Sequence, residues 1–312
     1  MDVQTVTGPV STAELGMTFM HEHVVAMTPG LYTSYPHLYD RAALLERAIA
    51  ALRAAHARGL RTLVDMSPAD FHRDPELVRE ASLVSGVQVI HATGLYNHTT
   101  LFFRRRSIEQ ITELLVRDIT VGMGETGIRA GILKCAVGPE HLTDVNDTLL
   151  RSIARAHRAT GVPIGTHTDM AERTGLDQQL VFKSEGVDLG RVIIGHSNDT
   201  MDIPYLEELI EAGSWVGMDR FGIDVILPET DRIELLVAMC DRGYSSRIVL
   251  SHDANSSADF VMDSFRAQPY WNWNTIPDRI VPALRERGVR EEDIRQMLVE
   301  NPRAIFEQQG AY

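Results

Sequence analysis

Short apolar runs punctuate the chain at Thr18–Val25, Arg61–Met66, Val87–Thr93, Gly131–Ala136, Val162–Thr168, Arg191–Gly195, Ser214–Met218 and Arg247–Ser251. Several are almost continuously apolar, the pattern of parallel strands covered on both faces. Between them the apolar positions change to helical spacing. Leu44, Leu45, Ala48, Ile49, Leu52 and Ala55 mark one helix, with Gly59 as a stop signal. Ser107 and Gln110 form a capping-box pattern ahead of Ile111, Leu114 and Leu115. Leu149, Ile153 and Ala156 mark a helix that stops at Gly161, and Tyr205, Leu206, Leu209 and Ile210 one that stops at Gly213. Strand and helix alternate throughout, which predicts an α/β fold of the (β/α)8 TIM-barrel type. An open doubly wound sheet is the alternative, but no G-x-G-x-x-G follows a strand, so its dinucleotide-binding version has no support.

Length and composition narrow the class. A chain of 312 residues has room for two domains, yet barrels of ~250 residues are commonly single. No Pro/Gly/Ser-rich linker cuts it, so one domain over residues 1–312 is expected. With 44% hydrophobic and 23% charged residues the chain is too apolar to be disordered. A net charge of −13 argues against nucleic acid or an anionic membrane as partner. No apolar run approaches the ~20 residues of a membrane span, and residues 1–10 lack the pattern of a secretory signal. Cys135 and Cys240 form no CxxC pair and read as reduced thiols, so a cytoplasmic location is expected.

In a barrel of this type the active site lies at the C-terminal ends of the strands. The first run ends in His21-Glu22-His23, whose period of two sends both histidines inward and Glu22 away. The fourth carries Lys134, the fifth ends at His167, the sixth at His196 and the eighth in Ser251-His252-Asp253. Each alone has a bland explanation. With 12 histidines in the chain, roughly half a His-x-His pair arises by chance, so the pair is weak evidence by itself. A lone strand histidine is more often a bonded core residue, an aspartate after a strand is most often a helix cap, and a strand lysine can snorkel outward. Their joint placement at strand ends points instead to a metal site.

Imidazole and carboxylate suit Zn(II) or another borderline divalent ion, Co, Mn or Fe included, whereas Ca(II) and Mg(II) prefer oxygen cages. Four histidines and one aspartate serve two ions only if something bridges them. A buried lysine has a depressed pKa and a neutral amine. That amine can add CO2 to give a carbamate with one oxygen for each metal. Two divalent ions against carbamate, aspartate and hydroxide keep one net positive charge, able to polarise a carbonyl or phosphoryl oxygen.

The chain resembles the phosphotriesterase family of the amidohydrolase superfamily, and within it the phosphotriesterase-like lactonases. The likeness runs over nearly the whole length: Gly8-Pro9, Gly16-Met-Thr-Phe-Met-His-Glu-His23, Ala92-Thr-Gly-Leu-Tyr96, Ala130-Gly-Ile-Leu-Lys134, Pro163-Ile-Gly-Thr-His167, Ile194-Gly-His-Ser-Asn-Asp-Thr200, Gly217-Met-Asp-Arg-Phe-Gly222, the segment Gly243–Asp253, and Asn301-Pro-Arg-Ala-Ile-Phe306. The resemblance implies that His21, His23 and Asp253 bind a more buried metal and His167 and His196 a more exposed one. It implies that carbamylated Lys134 bridges them together with a hydroxide, the nucleophile. Asp253 would take the hydroxide proton and pass it toward the leaving oxygen. Asp199 matches a carboxylate that the family places behind the ligands; its bland reading is a helix N-cap.

Two positions bear on substrate. Tyr96 matches the tyrosine that lactonases hold over the metals. Arg220 stands where phosphotriesterases proper have histidine and lactonase-like members have arginine; a simple salt bridge is its other reading. The resemblance therefore implies a homodimeric lactonase with quorum-quenching potential that opens N-acyl-homoserine lactones or other γ- and δ-lactones and hydrolyses organophosphate triesters weakly. A true aryldialkylphosphatase, an amidohydrolase for another ester or amide, and a silent ligand-binding barrel are the rivals. Between Ala254 and Thr275, Phe260, Met262, Phe265, Tyr270, Trp271 and Trp273 could line an acyl channel, pack the loop down or form a dimer contact. The aromatics of Leu101–Arg106 fit a family dimer interface, while its three arginines read as a solvated face.

Overall fold

All eight apolar runs are strands. In the computed structural model, which describes residues 1–96, 101–307 and 310–312, an antiparallel hairpin of β1 (Asp2–Thr5) and β2 (Gly8–Ser11) precedes them. Then come β3 (Met17–Ala26), β4 (Leu60–Asp65), β5 (Gln88–Gly94), β6 (Ile132–Ala136), β7 (Ile164–His167), β8 (Val192–Ile194), β9 (Trp215–Met218) and β10 (Ile248–Leu250). They neighbour one another in chain order, all parallel.

The sheet closes where its last run breaks and resumes. After β10 the chain leaves strand geometry for residues 251–254 and returns as β11 (Asn255–Ala258), which pairs parallel with β3 in the register Asn255↔His23 and Ala258↔Ala26. Across the gap Asp253 N–H donates to the His21 carbonyl at 3.0 Å and His23 N–H to the Ala254 carbonyl at 2.8 Å. The eighth strand thus meets the first along the residues singled out for metal binding.

Local chemistry sets the helices. Asp40 caps Arg41–His56, and Ser107 with Gln110 forms a complete capping box on Ile108–Thr120. The helix Asp144–Thr160 stops at Gly161, whose φ of 80° is the left-handed C-terminal geometry glycine favours. The open-sheet alternative is set aside. Apolar side chains divide into two cores by the period of two. Leu63, Val89, Leu133 and Ile194 face the helices. Met20, Val64, Ile90, Ile132, Trp215 and Val249 fill the barrel interior, joined from below by Ile305 and Phe306. That apolar floor leaves the polar residues only the upper mouth. Among the described residues no helix is long and apolar enough to cross a membrane.

The motif Asn301–Phe306 acquires a structural purpose here. Asn301 is fully buried, and its amide donates to the carbonyls of Ser245 (2.7 Å) and Ile248 (2.6 Å) at the start of β10. Replacing Asn301 with alanine removes both bonds from a buried setting, although the Ser245 carbonyl keeps the Ile248 N–H. The expected loss is about 2–4 kcal/mol of stability, read from the midpoint of urea unfolding; an unchanged midpoint would mean that these bonds hold nothing.

Candidate metal centre at the barrel mouth

The six residues predicted as ligands come together in one cavity of about 600 Å³ at the C-terminal ends of the strands. Lys134 projects inward from β6 with its Nζ 2.7 Å from His21 Nε2. Asp253 Oδ1 lies 3.1 Å from His23 Nε2 and 3.7 Å from His21 Nε2. On the other side His196 Nε2 lies 2.6 Å from His167 Nδ1. The Tyr96 hydroxyl stands 3.2 Å from both ring nitrogens of His167.

Backbone geometry explains the convergence. Gly94 lies beside Lys134 in the β5–β6 register, and a Cβ on it would fall 1.9 Å from the Lys134 carbonyl oxygen. Only glycine permits this approach. Counting alternately from the interior Ile193, His196 belongs on the helix side; its φ of 60° breaks the alternation and turns the ring into the mouth. Asp253 has a φ of 54°. Left-handed non-glycine residues are uncommon and cluster at functional sites.

Each of three imidazoles has one nitrogen engaged from behind and the other aimed inward. Asp219 accepts from His21 Nδ1 at 2.7 Å and from His196 Nδ1 at 2.9 Å. His23 Nδ1 pairs with Ser67 Oγ at 3.0 Å. The Asp219 contacts place the protons of His21 and His196 on Nδ1, so that their Nε2 lone pairs face the cavity, while His23 Nε2 donates to Asp253. Lone pairs converging on one carboxylate and one amine are a donor set that a borderline divalent cation fits. The ligand atoms of His21, His23 and Asp253 all lie within 4.8 Å of one another. His21, His196 and Asp219 also cluster, but Asp219 meets both rings through their outer nitrogens and so serves as their orienter.

Protonation states agree with this arrangement. Burial, then the adjacent Lys134, pulls His21 down to about 3. Burial and the neighbouring His196 hold His167 well below its ordinary range. Burial lowers Lys134 to about 8 against the pull of Asp253 and Asp219. For Asp253 burial works upward, but the His23 hydrogen bond, the histidines and Arg220 together hold the carboxyl well below the usual carboxylate range. Near neutral pH His21 and His167 are therefore uncharged, Asp253 is ionised and the lysine proton is loosely held.

Arg220 lines the same cavity and is also an ion-pair residue, so its two readings coexist. Its Nε donates to Asp253 Oδ2 at 3.1 Å and its Nη1 to Asp199 Oδ2 at 2.6 Å. Buried Arg232 approaches Asp199 from the other side at 2.7 Å. Asp199 is not a helix cap; Asp202 caps the helix Ile203–Glu211. The aromatic segment after β10 divides three ways. Phe260, Met262, Phe265 and Trp271 line the cavity, Trp273 is buried in the core, and Tyr270 stacks outside beneath the Arg279 guanidinium. In Leu101–Arg106, Leu101 and Phe102 are exposed while Phe103 packs on the core.

The sequence model of the Phosphotriesterase family matches residues 1–306. The chain belongs to the phosphotriesterase family. A relative named phosphotriesterase homology protein, from Mycobacterium tuberculosis, is 43% identical, the match covering 100% of this chain and 99% of the relative. An aryldialkylphosphatase from Saccharolobus solfataricus is 32% identical over 95% of this chain and 96% of its own. An N-acetyltaurine hydrolase from Xenopus tropicalis is 26% identical over 96% of each. The solved phosphotriesterase structure from Mycobacterium tuberculosis superposes with a TM-score of 0.96 at 43% identity, covering 100% of both chains. The chain is thus a hydrolase of a metal-dependent family.

Sequence reasoning about this phosphotriesterase-family site missed Asp219, Ser67 and the engagement of Glu22. Asp219 was within reach: alternation from the interior Trp215 places residue 219 inward at the end of β9. Ser67 carried no signal, because only the barrel's curvature brings it behind His23.

Burial of neutral His21 has a measurable consequence. The unfolded imidazole titrates near 6.5 and the folded one near 3, so between those values the unfolded chain binds the extra proton. Stability of the metal-free protein therefore falls as pH drops through this window. Asp253, depressed from 3.8, contributes stability above that value and loses it as pH falls further. The melting temperature of chelator-treated protein should decline between about pH 7 and pH 5; a flat profile would contradict a neutral buried His21.

Proposed function

We propose that the chain is a single hydrolase domain, residues 1–312, with a binuclear metal centre that opens lactones, N-acyl-homoserine lactones or other γ- and δ-lactones. The observation that carries this reading is the combination of Tyr96 over His167 with Arg220 across Asp253 and Asp199, beside an apolar arm formed by Phe71, Phe260, Met262 and Phe265. His21, His23 and Asp253 would hold one divalent ion and His167 and His196 the other, zinc being the first choice. Lys134, carbamylated by CO2, would bridge them; its burial and lowered pKa support that chemistry. Bound there, the ions would supply Lewis acidity and a water acidified toward neutrality.

The chain's own residues do the rest. Tyr96 orients the lactone oxygen over the ligand cluster. The apolar arm receives the substrate's tail and excludes water from it. Asp253 accepts a proton from the attacking water as its oxygen adds to the carbonyl carbon. Arg220 keeps that carboxylate ionised and aimed until the transfer. When the ring C–O bond breaks, Asp253 returns the proton to the departing alkoxide, and the product is a hydroxy acid. Tetrahedral phosphorus develops negative oxygen in the same place, which supports weaker turnover of organophosphate triesters.

Hydrolysis of a taurine conjugate, as the name of one relative indicates for that protein, is the less favoured reading. A sulfonate needs a cation, and among the described residues lining the cavity Lys134 and Arg220 are both engaged. We further propose a cytoplasmic homodimer, with Leu101–Phe103 as part of the contact.

The test is kcat/KM on a long-chain N-acyl-homoserine lactone, an aliphatic δ-lactone and an aryl phosphotriester with the zinc-loaded protein. The lactones should lead by about 100-fold, or ~3 kcal/mol of differential transition-state stabilisation. A leading phosphotriester would refute the lactonase reading. Lys134→Ala should weaken metal retention about tenfold or more and abolish the carbamate signal in 13C NMR after equilibration with labelled bicarbonate. Undiminished metal binding would dismiss the bridge.

A further inference from the structure

Glu22, the middle residue of His21-Glu22-His23, points away from the cavity and is completely buried. It meets four donors, all from the segment that closes the barrel. Its Oε1 accepts from Ser251 Oγ at 2.8 Å, His252 N–H at 3.0 Å and His252 Nδ1 at 2.6 Å, and its Oε2 accepts from Ala254 N–H at 2.9 Å. His252 Nε2 accepts from Ile276 N–H at 3.0 Å, so the ring is neutral with its proton on Nδ1. None of the four donors is therefore a cation. Ser251 Oγ in turn accepts from His21 N–H at 2.8 Å.

Between His252 and Ala254 lies Asp253, with its left-handed φ of 54°. A left-handed residue between two N–H groups turns both toward one point and makes an anion-binding concavity. Here the anion is Glu22. The bend that presents Asp253 to His23 is thus the same bend that presents His252 and Ala254 N–H to Glu22. Without an anion there, two buried N–H groups lose their partner and the left-handed conformation loses its compensation.

We propose that Glu22 is a positioning residue for the metal centre: its carboxylate holds Asp253 in the left-handed conformation and so sets where Asp253 stands relative to His21 and His23. This rests on the assignment of those three residues as ligands. The carboxylate of Glu22 points away from the cavity; it acts through the backbone of residues 252–254 and the side chains of Ser251 and His252.

The experiment compares wild type, Glu22→Gln and Asn301→Ala, each folded by circular dichroism and held well below its melting temperature. Cobalt(II) affinity and the visible spectrum of the bound cobalt are the readouts. Glutamine supplies one acceptor oxygen and one N–H that faces an N–H of the 252–254 turn. Its expected effect is a loss of cobalt affinity of about 10- to 100-fold and a changed d–d spectrum. Asn301→Ala, which weakens the barrel floor without touching the mouth, should keep wild-type affinity and spectrum. Glu22→Gln retaining affinity within about twofold, with an unchanged spectrum, overturns the proposal, as does an equal loss in Asn301→Ala. Should Glu22→Gln not fold, His252→Ala removes one donor and leaves the carboxylate; a smaller loss in the same direction supports the proposal and no change overturns it. Failure of the wild type itself to bind cobalt defeats the ligand assignment, and with it this inference.

Discussion

A closed parallel barrel must bring its last strand against its first, and in this chain that seam carries polar chemistry instead of an unbroken ladder. The eighth strand stops at Leu250, turns through Asp253 and resumes at Asn255. Two backbone bonds to β3 and four to Glu22 hold the turn. Buried donors and acceptors need partners, and at this seam β3 supplies the largest share through His21, Glu22 and His23, with Met218, Arg220, Trp271 and Ile276 among the others. Every other feature of the mouth is built outward from this join.

From it follows a division between floor and mouth. The interior below is filled by Met20, Ile90, Ile132 and Val249 and sealed from beneath by Ile305 and Phe306. Above, the strands end in imidazoles, a carboxylate and an amine. Buried polar groups are tolerable only in a satisfied network, and here the network is arranged by direction. Asp219, Ser67 and Glu22 bind the outward-facing polar atoms, so the inward-facing ones are left to one another and could take up a cation. The same desolvation keeps His21 neutral and loosens the Lys134 proton, which suits both groups to the ligand roles proposed for them.

The substrate side of the mouth is assembled differently. Phe71, from the loop after β4, packs on both Phe260 and Tyr96, with ring centroids 4.9 and 5.1 Å apart. Three separate loops thus meet to form one apolar wall beside the polar cluster. Trp271 fastens this wall to the seam, its indole N–H donating to the carbonyls of His252 and Asp253. The shape of the apolar arm and the position of Asp253 are therefore coupled through one side chain.

By itself the sequence determined the barrel, because eight apolar runs separated by helical spacing admit few packings, and it placed His21, His23, Lys134, His167, His196 and Asp253 at strand ends. Period-two counting put the two histidines of β3 on one face and would have found Asp219, but the irregularity between Phe19 and Glu22, which turns that face inward beside interior Met20, carried no sequence signal. Counting could not place His196, whose left-handed backbone breaks the count, nor decide among Phe260, Tyr270 and Trp273, which share a segment yet end in a cavity, on the surface and in the core. The cap reading of Asp199 failed for the same reason: its partners, Arg220 and Arg232, come from beyond the next strand. Periodicity is a property of one element, whereas the partner of a buried charge is chosen by whatever the closed barrel brings within hydrogen-bond reach. Only the tertiary structure could decide that Glu22, the residue facing away from the site, binds the turn on which Asp253 stands.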